Sequence, residues 1–293
     1  MRAVQKLHPV VSLLWFAAVI GGAMFLTHPV CLALSLCCAA ATAVMLNGKR
    51  VIRFALTVAL PMFFLVVLIN PLVNHRGVTV LGYLPWNNPL TLESILFGAA
   101  SAVMLMCVML WFSAFHTVMT SDKLVFLFGK ALPSLGLVLA MALRFVPRFA
   151  SELRSVRQAH ESLYPRESGF LPRLKGSVRV LSVMISAALE NSVETADSMK
   201  ARGYGLKGRT AYSRYRMTAC DGVLLGAILL LTALLVTLAF CGAARFRYFP
   251  AISSISPNAG DIAFFVTYAA LLIMPLIMCA EEEWRWRQYI SKI

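Results

Sequence analysis

The sequence contains few charged residues for its length. Asp, Glu, Lys and Arg make up 14% of the 293 residues, whereas a soluble globular domain usually carries about 25%. Hydrophobic residues make up 59%, and the mean hydropathy is +0.76. This shortage of charge excludes an ordinary soluble domain, and it predicts an all-α polytopic membrane protein.

Acidic residues are absent from the long apolar runs, and so are common catalytic patterns. The sequence has no H-E-x-x-H, no G-x-S-x-G and no pair of carboxylates inside an apolar run. Ion-coupled carriers usually need ionisable groups within the bilayer, so this absence argues against a self-sufficient proton-driven transporter. The seven cysteines follow no metal or redox spacing, and the five histidines are scattered. We therefore expect no catalytic residue, no cofactor and no metal site.

Six apolar stretches are long enough to cross a bilayer, which takes about 20 residues per helix. Two of them form a hairpin between Leu7 and Gly48, which we expect to stay in the protein rather than to be cleaved as a leader. Ala131–Leu143 is also apolar, but it is too short to be counted as a span. The other four stretches are Phe54–Asn74, where Asn70-Pro71 is expected to end the helix, Ser94–Phe115, Gly222–Ala244 and Ile262–Ala280.

The basic residues are distributed unevenly among the connecting segments. With the N-terminus inside, 24 of the 27 Lys and Arg residues fall on the inner side, and only Arg76, Arg245 and Arg247 fall outside. Because short basic loops stay in the cytoplasm, both termini are predicted to be cytoplasmic. The expected location is the plasma (inner) membrane of a bacterium or archaeon, crossed several times. The net charge of +14 is thereby explained without a nucleic-acid partner.

The segment between the fourth and fifth spans is too long for a simple connection. Its pattern predicts two amphipathic helices, one rich in polar residues over Arg148–Leu163 and one over Leu174–Lys200. Gly203 is placed to cap the second helix. We divide the chain into N-terminal spans (1–115), a cytoplasmic region (116–220), and a C-terminal pair of spans with a tail (221–293). The predicted turn contains Pro165, Gly169, Pro172 and Gly176, and the apolar stripe of the second helix contains Val178, Leu181, Ile185, Leu189, Ala196 and Met199.

A glycine-rich stretch follows the second amphipathic helix. Residues 203–208 satisfy G-x-G-x-x-G, and the stretch nearly matches a P-loop, with Arg209 where that loop needs Lys. Both motifs require a buried strand before the glycines, so that backbone N–H groups can hold phosphate. A polar helix is predicted there instead, so we expect no nucleotide to bind.

Lys200-Ala201-Arg202-Gly203-Tyr204 stands at the end of the same helix. Ala201 allows a partner to approach closely, Arg202 presents a planar fork suited to a carboxylate, and Gly203 ends the helix. The simpler interpretation is a solvated arginine beside a glycine cap. Composition alone favours the simpler interpretation.

The chain resembles the transmembrane (T) component of energy-coupling factor (ECF) transporters, the scaffold related to the cobalt-transport protein CbiQ. The best match is Glu194–Tyr204, continuing to Gly208-Arg-Thr210, which is similar to that family's second Ala-Arg-Gly signature. Three other stretches also fit in family order: Asn70–Gly77, Thr91–Ser94 and Ala142–Pro147.

The resemblance implies a scaffold that hydrolyses nothing itself. Two cytoplasmic ABC-type ATPases would bind its coupling helices, and a separate substrate-binding membrane protein, the S component, would capture a vitamin or a metal ion. It assigns the ATPase-docking role to Ala201, Arg202 and Gly203. The expected first Ala-Arg-Gly signature is missing, because the corresponding stretch reads Gln158–Tyr164. Arg157 or Arg166 could replace its arginine, and the register does not choose between them.

Two other functions remain open at this stage. One is a membrane-embedded enzyme acting on lipid or isoprenoid phosphates, with the basic segment holding the phosphate. The other is a structural membrane protein whose basic segment binds anionic lipid. An enzyme would be active alone, whereas a scaffold would be inert without its ATPases.

Overall fold

A computed structural model describes residues 7–74, 76–83, 89–164, 169–204, 206, 215–250 and 258–290. The chain forms two compact units, one of residues 1–120 and 215–293 and the other of residues 121–214. The described residues are almost entirely helical, as predicted for an all-α membrane protein. The first unit contains α1 (Pro9–Phe25), α2 (Pro29–Asn47), α3 (Lys49–Phe54), α4 (Leu60–Val73), α5 (Leu92–Val118), α9 (Ala219–Phe240) and α10 (Ala259–Ile290); the second contains α6 (Ser121–Ala131), α7 (Pro133–Leu163) and α8 (Phe170–Ala201).

Four helical segments are long and apolar enough to cross a membrane, namely Pro29–Asn47, Lys49–Val73, Leu92–Val118 and Ala219–Phe240. They correspond to four of the six predicted spans. The other two predicted spans coincide with shorter apolar helices, Pro9–Phe25 and Ala259–Met274. The chain is therefore a multi-pass α-helical membrane protein.

The predicted hairpin at the start of the chain is present, and its two helices begin in the same way. His8 and His28 are the N-cap residues of α1 and α2, and each precedes a proline in the first helical position. The Nδ1 atom of His8 accepts a hydrogen bond from the Val10 N–H at 3.4 Å, and that of His28 accepts one from the Val30 N–H at 3.2 Å. Both side chains thereby satisfy N–H groups that a helix start leaves unpaired.

The third span differs from the prediction near its end. Asn70-Pro71 does not end the helix, since α4 continues to Val73 and the Asn74 N–H donates to the Asn70 carbonyl at 2.8 Å. Proline is tolerated in this last turn because only one intrahelical hydrogen bond is lost there. The span also contains a π-helical turn, Ala55–Ala59, between α3 and α4.

The core of the first unit is built from aromatic residues on α1, α5 and α10. Trp111, Phe16 and Tyr268 are almost fully buried. The Trp15 and Trp111 rings meet edge to face at 5.5 Å, and the Trp15 Nε1–H donates to the Leu271 carbonyl at 2.9 Å. These contacts join the N-terminal helices to α10, which lies more than two hundred residues away in the sequence.

The second unit confirms the two predicted helices and corrects their limits. α7 begins at Pro133, so the apolar stretch 131–143 and the polar stretch 148–163 belong largely to one helix. The predicted turn is shorter than expected, because Pro172 and Gly176 lie inside α8. Proline is compatible with a first helical turn, where its missing N–H would have no partner. A Cβ on Gly176 would lie 3.2 Å from the His160 ring, so the glycine marks a close approach of α7 and α8.

Candidate functional site

The C-terminal end of α8 carries the residues that the sequence singles out. Arg202 is the C-cap residue, with φ −83° and ψ 10°, and Gly203 has φ +70°. The Gly203 N–H donates to the Lys200 carbonyl at 2.9 Å, and the Tyr204 N–H donates to the Met199 carbonyl at 3.0 Å. This pair of hydrogen bonds defines a Schellman motif, for which glycine is the favoured residue. The predicted glycine cap is confirmed.

Arg202 is available at this helix end. Ala201 and Arg202 are both exposed, and the Arg202 guanidinium makes no hydrogen bond or ion pair with any residue that the structure describes. Because the helix stops at Gly203, the side chain stands at the tip of α8. The arrangement can present five N–H donors to an external carboxylate or carbonyl.

Arg157 and Arg166 are the two candidates to replace the arginine of the missing first Ala-Arg-Gly signature, and the structure describes the first of them. The Arg157 Nε–H donates to the Glu161 carboxylate at 3.0 Å, in an i,i+4 ion pair whose side chains are 70% and 49% exposed. An exposed helical pair of this kind is worth only about 0.3–0.5 kcal/mol, so a partner can displace Glu161. Arg166 lies outside the described residues. The choice between them stays a prediction.

Arg157 and Arg202 lie at opposite ends of the α7–α8 pair. The Arg148 guanidinium donates to the Asn191 amide oxygen at 3.0 Å, and the His160 ring faces Gly176. Residues later in α7 thus meet residues earlier in α8, so the two helices run antiparallel. At 1.5 Å per residue, Arg157 and Arg202 are separated by roughly 35 Å along the pair.

The turn end of the pair is held by aromatic stacking. The His160 and Tyr164 rings lie 5.0 Å apart, and the Arg179 guanidinium lies 4.7 Å from the centre of the Tyr164 ring. A cation over a tyrosine face at this distance contributes about 0.5–1 kcal/mol at an exposed site. The i,i+4 spacing of His160 and Tyr164 is the only signal of this cluster in the sequence, and such spacing alone does not predict it.

The apolar stripe of α8 is largely exposed. Val178, Leu181, Ile185 and Leu189 are between 52% and 64% exposed, and Ala196 is exposed while Met199 is half-buried. The least exposed residues of α8 form another row, which makes both contacts with α7 described above. This row contains Gly176, Val180, Met184, Ala187, Asn191 and Thr195. Apart from the half-buried Met199, the predicted stripe is therefore a surface and not the packing face against α7.

Two of the other stretches singled out by sequence, Asn70–Gly77 and Thr91–Ser94, meet in the first unit. The Thr91 Oγ1–H donates to the Arg76 carbonyl at 3.1 Å, and the Ser94 hydroxyl donates to the Asn74 carbonyl. A Cβ on Gly77 would lie 2.8 Å from the Thr91 Cβ. This close packing ties the connection after α4 to the N-terminus of α5.

Glu93 completes this cluster. Its carboxylate accepts hydrogen bonds from the Thr79 hydroxyl at 2.8 Å and from the Thr79 N–H at 3.2 Å, and its side chain is almost fully buried. Val80–Tyr83 (β1) then pairs antiparallel with Pro89–Thr91 (β2). The cluster fixes local structure, since each of these polar groups finds its partner within the chain.

The last of these stretches, Ala142–Pro147, lies inside α7. Pro147 interrupts the helical hydrogen bonding without ending the helix, and Arg144 is exposed. The Phe145 and Phe149 rings stack at 5.6 Å. The stretch therefore marks a proline-containing, aromatic part of α7.

Few buried ionisable groups in the described part of the second unit are suited to chemistry. Lys123 on α6 is 3% exposed and its Nζ has no partner there; burial lowers the pKa of this ammonium group. Among the described residues no group of three or more His, Cys, Asp or Glu side chains is placed to hold a metal ion.

The glycine-rich stretch 203–208 follows a helix and not a strand, because the helix predicted before Gly203 is α8. Gly205 and residues 207–214 lie outside the described part.

Comparison with known proteins gives one consistent result. Residues 2–212 match the family described as cobalt transport protein, CbiQ. The "Energy-coupling factor transporter transmembrane protein EcfT" of Bacillus selenitireducens is 32% identical over 111 residues, which are 37% of this chain and 41% of that protein. The protein of the same name from Lactococcus lactis is 28% identical over 105 residues, 35% of this chain and 40% of that one.

A further relative carries no functional name. The "Uncharacterized protein MG181" of Mycoplasma genitalium is 35% identical over 89 residues, 29% of this chain and 21% of that protein. The matched regions thus cover about two fifths or less of the length of each of these relatives.

Proposed function

The chain belongs to the CbiQ family of cobalt transport proteins, and from this premise we propose that it is the T component of an ECF-type ABC importer. It is a membrane-embedded transporter subunit. In the proposed mechanism it transmits ATP-driven motion of two cytoplasmic ATPases to an S component that carries a vitamin or a metal ion. It would contain no catalytic residue of its own, since ATP hydrolysis belongs to the ATPases.

The observation that carries this proposal is the tip of α8. Arg202 is exposed, lacks a partner in the described part of the chain, and stands on a helix end fixed by the Schellman motif. A fixed tip loses little conformational freedom on binding, which favours affinity. We assign the docking of one ATPase to Ala201, Arg202 and Gly203.

The second ATPase would dock at the other end of the α7–α8 pair. Arg157 lies near that end and is held only by an exposed ion pair with Glu161, while Arg166 follows α7 in the sequence. A separation of roughly 35 Å between the ends leaves room for two separate subunits. Because the Ala-Arg-Gly pattern occurs at only one end, the two ATPase contacts are expected to be unequal.

The S component would pack on the apolar stripe of α8. This stripe is exposed although its residues are large and hydrophobic, and exposed apolar surface of this kind is characteristic of interaction sites. The acidic residues Glu190, Glu194 and Asp197 lie on the same helix but are not part of the stripe. Membrane location with both termini in the cytoplasm belongs to the same proposal.

Reversal of the charge at position 202 tests the proposal. Arg202→Glu should lower copurification of the ATPases by at least about tenfold, because a buried or half-buried charged contact contributes about 1.5–3 kcal/mol. The measurement is the amount of ATPase retained on the tagged protein from mild-detergent extracts, with substrate uptake as a second readout. Arg202→Lys should show an intermediate loss, since lysine keeps the charge but lacks the planar fork.

Lys200→Glu is the matched control, because it makes the same charge change on an exposed residue two positions earlier. Its ATPase retention should stay within about twofold of that of the unchanged protein, as expected for a surface position. Equal losses in both variants would indicate general attraction to a basic surface and would contradict a specific docking arginine. Hydrolysis of ATP or of a lipid phosphate by the purified chain alone would contradict the scaffold role.

A further inference from the structure

A cavity of about 570 Å³ lies in the first unit, where α2 ends, α3 begins and the C-terminal part of α5 passes. Asn47, Arg50 and His116 line its polar part, and Phe54, Met109 and Phe112 line its apolar part. No Asp or Glu is among its lining residues. The cavity is therefore cationic at one end and apolar along one wall.

Most polar groups of the cavity already have partners. The Asn47 Nδ2–H donates to the Ser113 carbonyl and hydroxyl at 3.2 Å, and the Thr117 hydroxyl donates to the Asn47 amide oxygen at 2.5 Å. Arg50 is different, because its guanidinium makes no hydrogen bond or ion pair with the described residues. The lining group that is left to bind a ligand is thus the positively charged guanidinium of Arg50.

The backbone beside the cavity is irregular. The π-helical turn Ala55–Ala59 starts directly after the lining residue Phe54, and the Leu60 N–H donates back to the Ala55 carbonyl. Such turns are rare, and they occur frequently at functional sites because they place an extra residue in a helix. This observation is independent of the charge of Arg50.

The apolar surface beside the cavity favours a lipid over a free anion as the ligand. The span that contains Arg50 continues into exposed apolar side chains, among them Leu56, Leu60 and Phe64, which are suited to contact hydrocarbon. A ligand whose anionic group meets Arg50 would have its remaining part beside this surface. Basic pockets between membrane helices on the cytoplasmic side are known to hold anionic headgroups.

We propose that this cavity is a binding site for an anionic phospholipid. The phosphate is held by Arg50, with His116 beside it, and an acyl chain lies along Phe54, Met109 and Phe112. The site recognises the negative charge of the headgroup together with an apolar tail. The site uses residues of the first unit only, and it does not depend on ATPase docking.

Lipid binding to the full-length protein tests this proposal. The purified protein in detergent micelles is titrated with dioleoyl-phosphatidylglycerol, dioleoyl-phosphatidylcholine or inorganic phosphate, and retained lipid is counted by native mass spectrometry. The unchanged protein should prefer phosphatidylglycerol to phosphatidylcholine by about tenfold, because both lipids carry the phosphate but the choline ammonium of phosphatidylcholine cancels the net negative charge of its headgroup and repels Arg50. Arg50→Gln should remove this preference.

Arg53→Gln is the matched control, because Arg53 is exposed on the same helix but does not line the cavity. It should keep the preference within about twofold. Met109→Trp, which fills the apolar part, should weaken phosphatidylglycerol binding while Arg50 is intact. Equal losses in Arg50→Gln and Arg53→Gln, equal binding of the two lipids, or displacement of phosphatidylglycerol by inorganic phosphate would each overturn the proposal.

Discussion

At the scale of single residues, surroundings matter more than residue type. Arg202 and Arg157 are both exposed arginines, yet one is unpartnered in the described part of the chain and the other is paired with Glu161. The sequence predicts the exposure of Arg202, since a glycine cap follows it. It does not predict the pair at Arg157, because i,i+4 spacing permits an ion pair without requiring one.

Substitution of Gly203 tests the role of the cap. Gly203→Ala should destabilise the end of α8 by about 1–2 kcal/mol, since an L-residue is disfavoured at the φ of +70° found there. Hydrogen exchange at the Gly203 and Tyr204 amides should become faster. Gly203→Asn is the control, because asparagine tolerates this conformation and should keep most of the protection. Unchanged protection in Gly203→Ala would show that the cap does not hold the tip.

The N-cap at His28 predicts a dependence on pH. Burial lowers the pKa of His28, and the nearby Asp261 opposes this effect only in part. The neutral ring is therefore favoured in the folded protein, where its Nδ1 accepts the Val30 N–H. Its contribution to stability is fully present above the ordinary pKa of about 6.5, and it is lost as the pH falls through the lowered pKa.

His28→Asn isolates this effect, since asparagine also caps helices but does not titrate. Thermal unfolding in detergent between pH 7.5 and 5 should show a decrease in stability for the unchanged protein that is smaller in the variant. Parallel curves for the two proteins would assign the pH dependence to other groups.

At the scale of helices, the sequence predicts where a helix forms better than it predicts which side of that helix packs against its neighbour. The periodicity of α8 predicts a helix and an apolar stripe, and the helix is confirmed within a few residues of its predicted limits. The row that meets α7 contains Val180 and Met184, but its other members, Gly176, Ala187, Asn191 and Thr195, are small or polar. Small and polar residues allow close approach but carry little hydrophobic signal, so periodicity favours the stripe with more apolar residues over this row.

The junction of α6 and α7 depends on a pair of glycines. A Cβ on Gly136 would overlap the Gly129 Cα, and neither backbone can move without separating the helices. Gly136→Ala should therefore lower the free energy of unfolding by about 1–3 kcal/mol, the usual cost of overpacking. The measurement is the thermal unfolding midpoint in detergent.

Gly226→Ala on α9 is the comparison, because a Cβ there would meet nothing within 4 Å. Alanine is the better helix former by up to about 1 kcal/mol, so this variant should be neutral or slightly more stable. A neutral result for Gly136→Ala as well would contradict the close contact between α6 and α7.

At the scale of the molecule, composition predicts the class of fold and local pattern predicts most helices. Long-range features were not predictable from pattern. The cluster around Thr91 and Glu93 joins residues that are 14 to 20 positions apart, and the hydrogen bond from Trp15 to Leu271 spans 256 positions. Such pairings depend on the arrangement of whole helices, which no single stretch of sequence encodes. The three-part division of the chain stays a prediction.

The outward-facing Leu and Ile side chains of α8 have a consequence for biosynthesis. A copy that is made without its partner subunits keeps this apolar surface exposed to solvent. Such surfaces promote aggregation and recognition by cellular proteases. Surplus copies should therefore be short-lived, and the amount of this chain in a cell should follow the supply of whatever covers that surface.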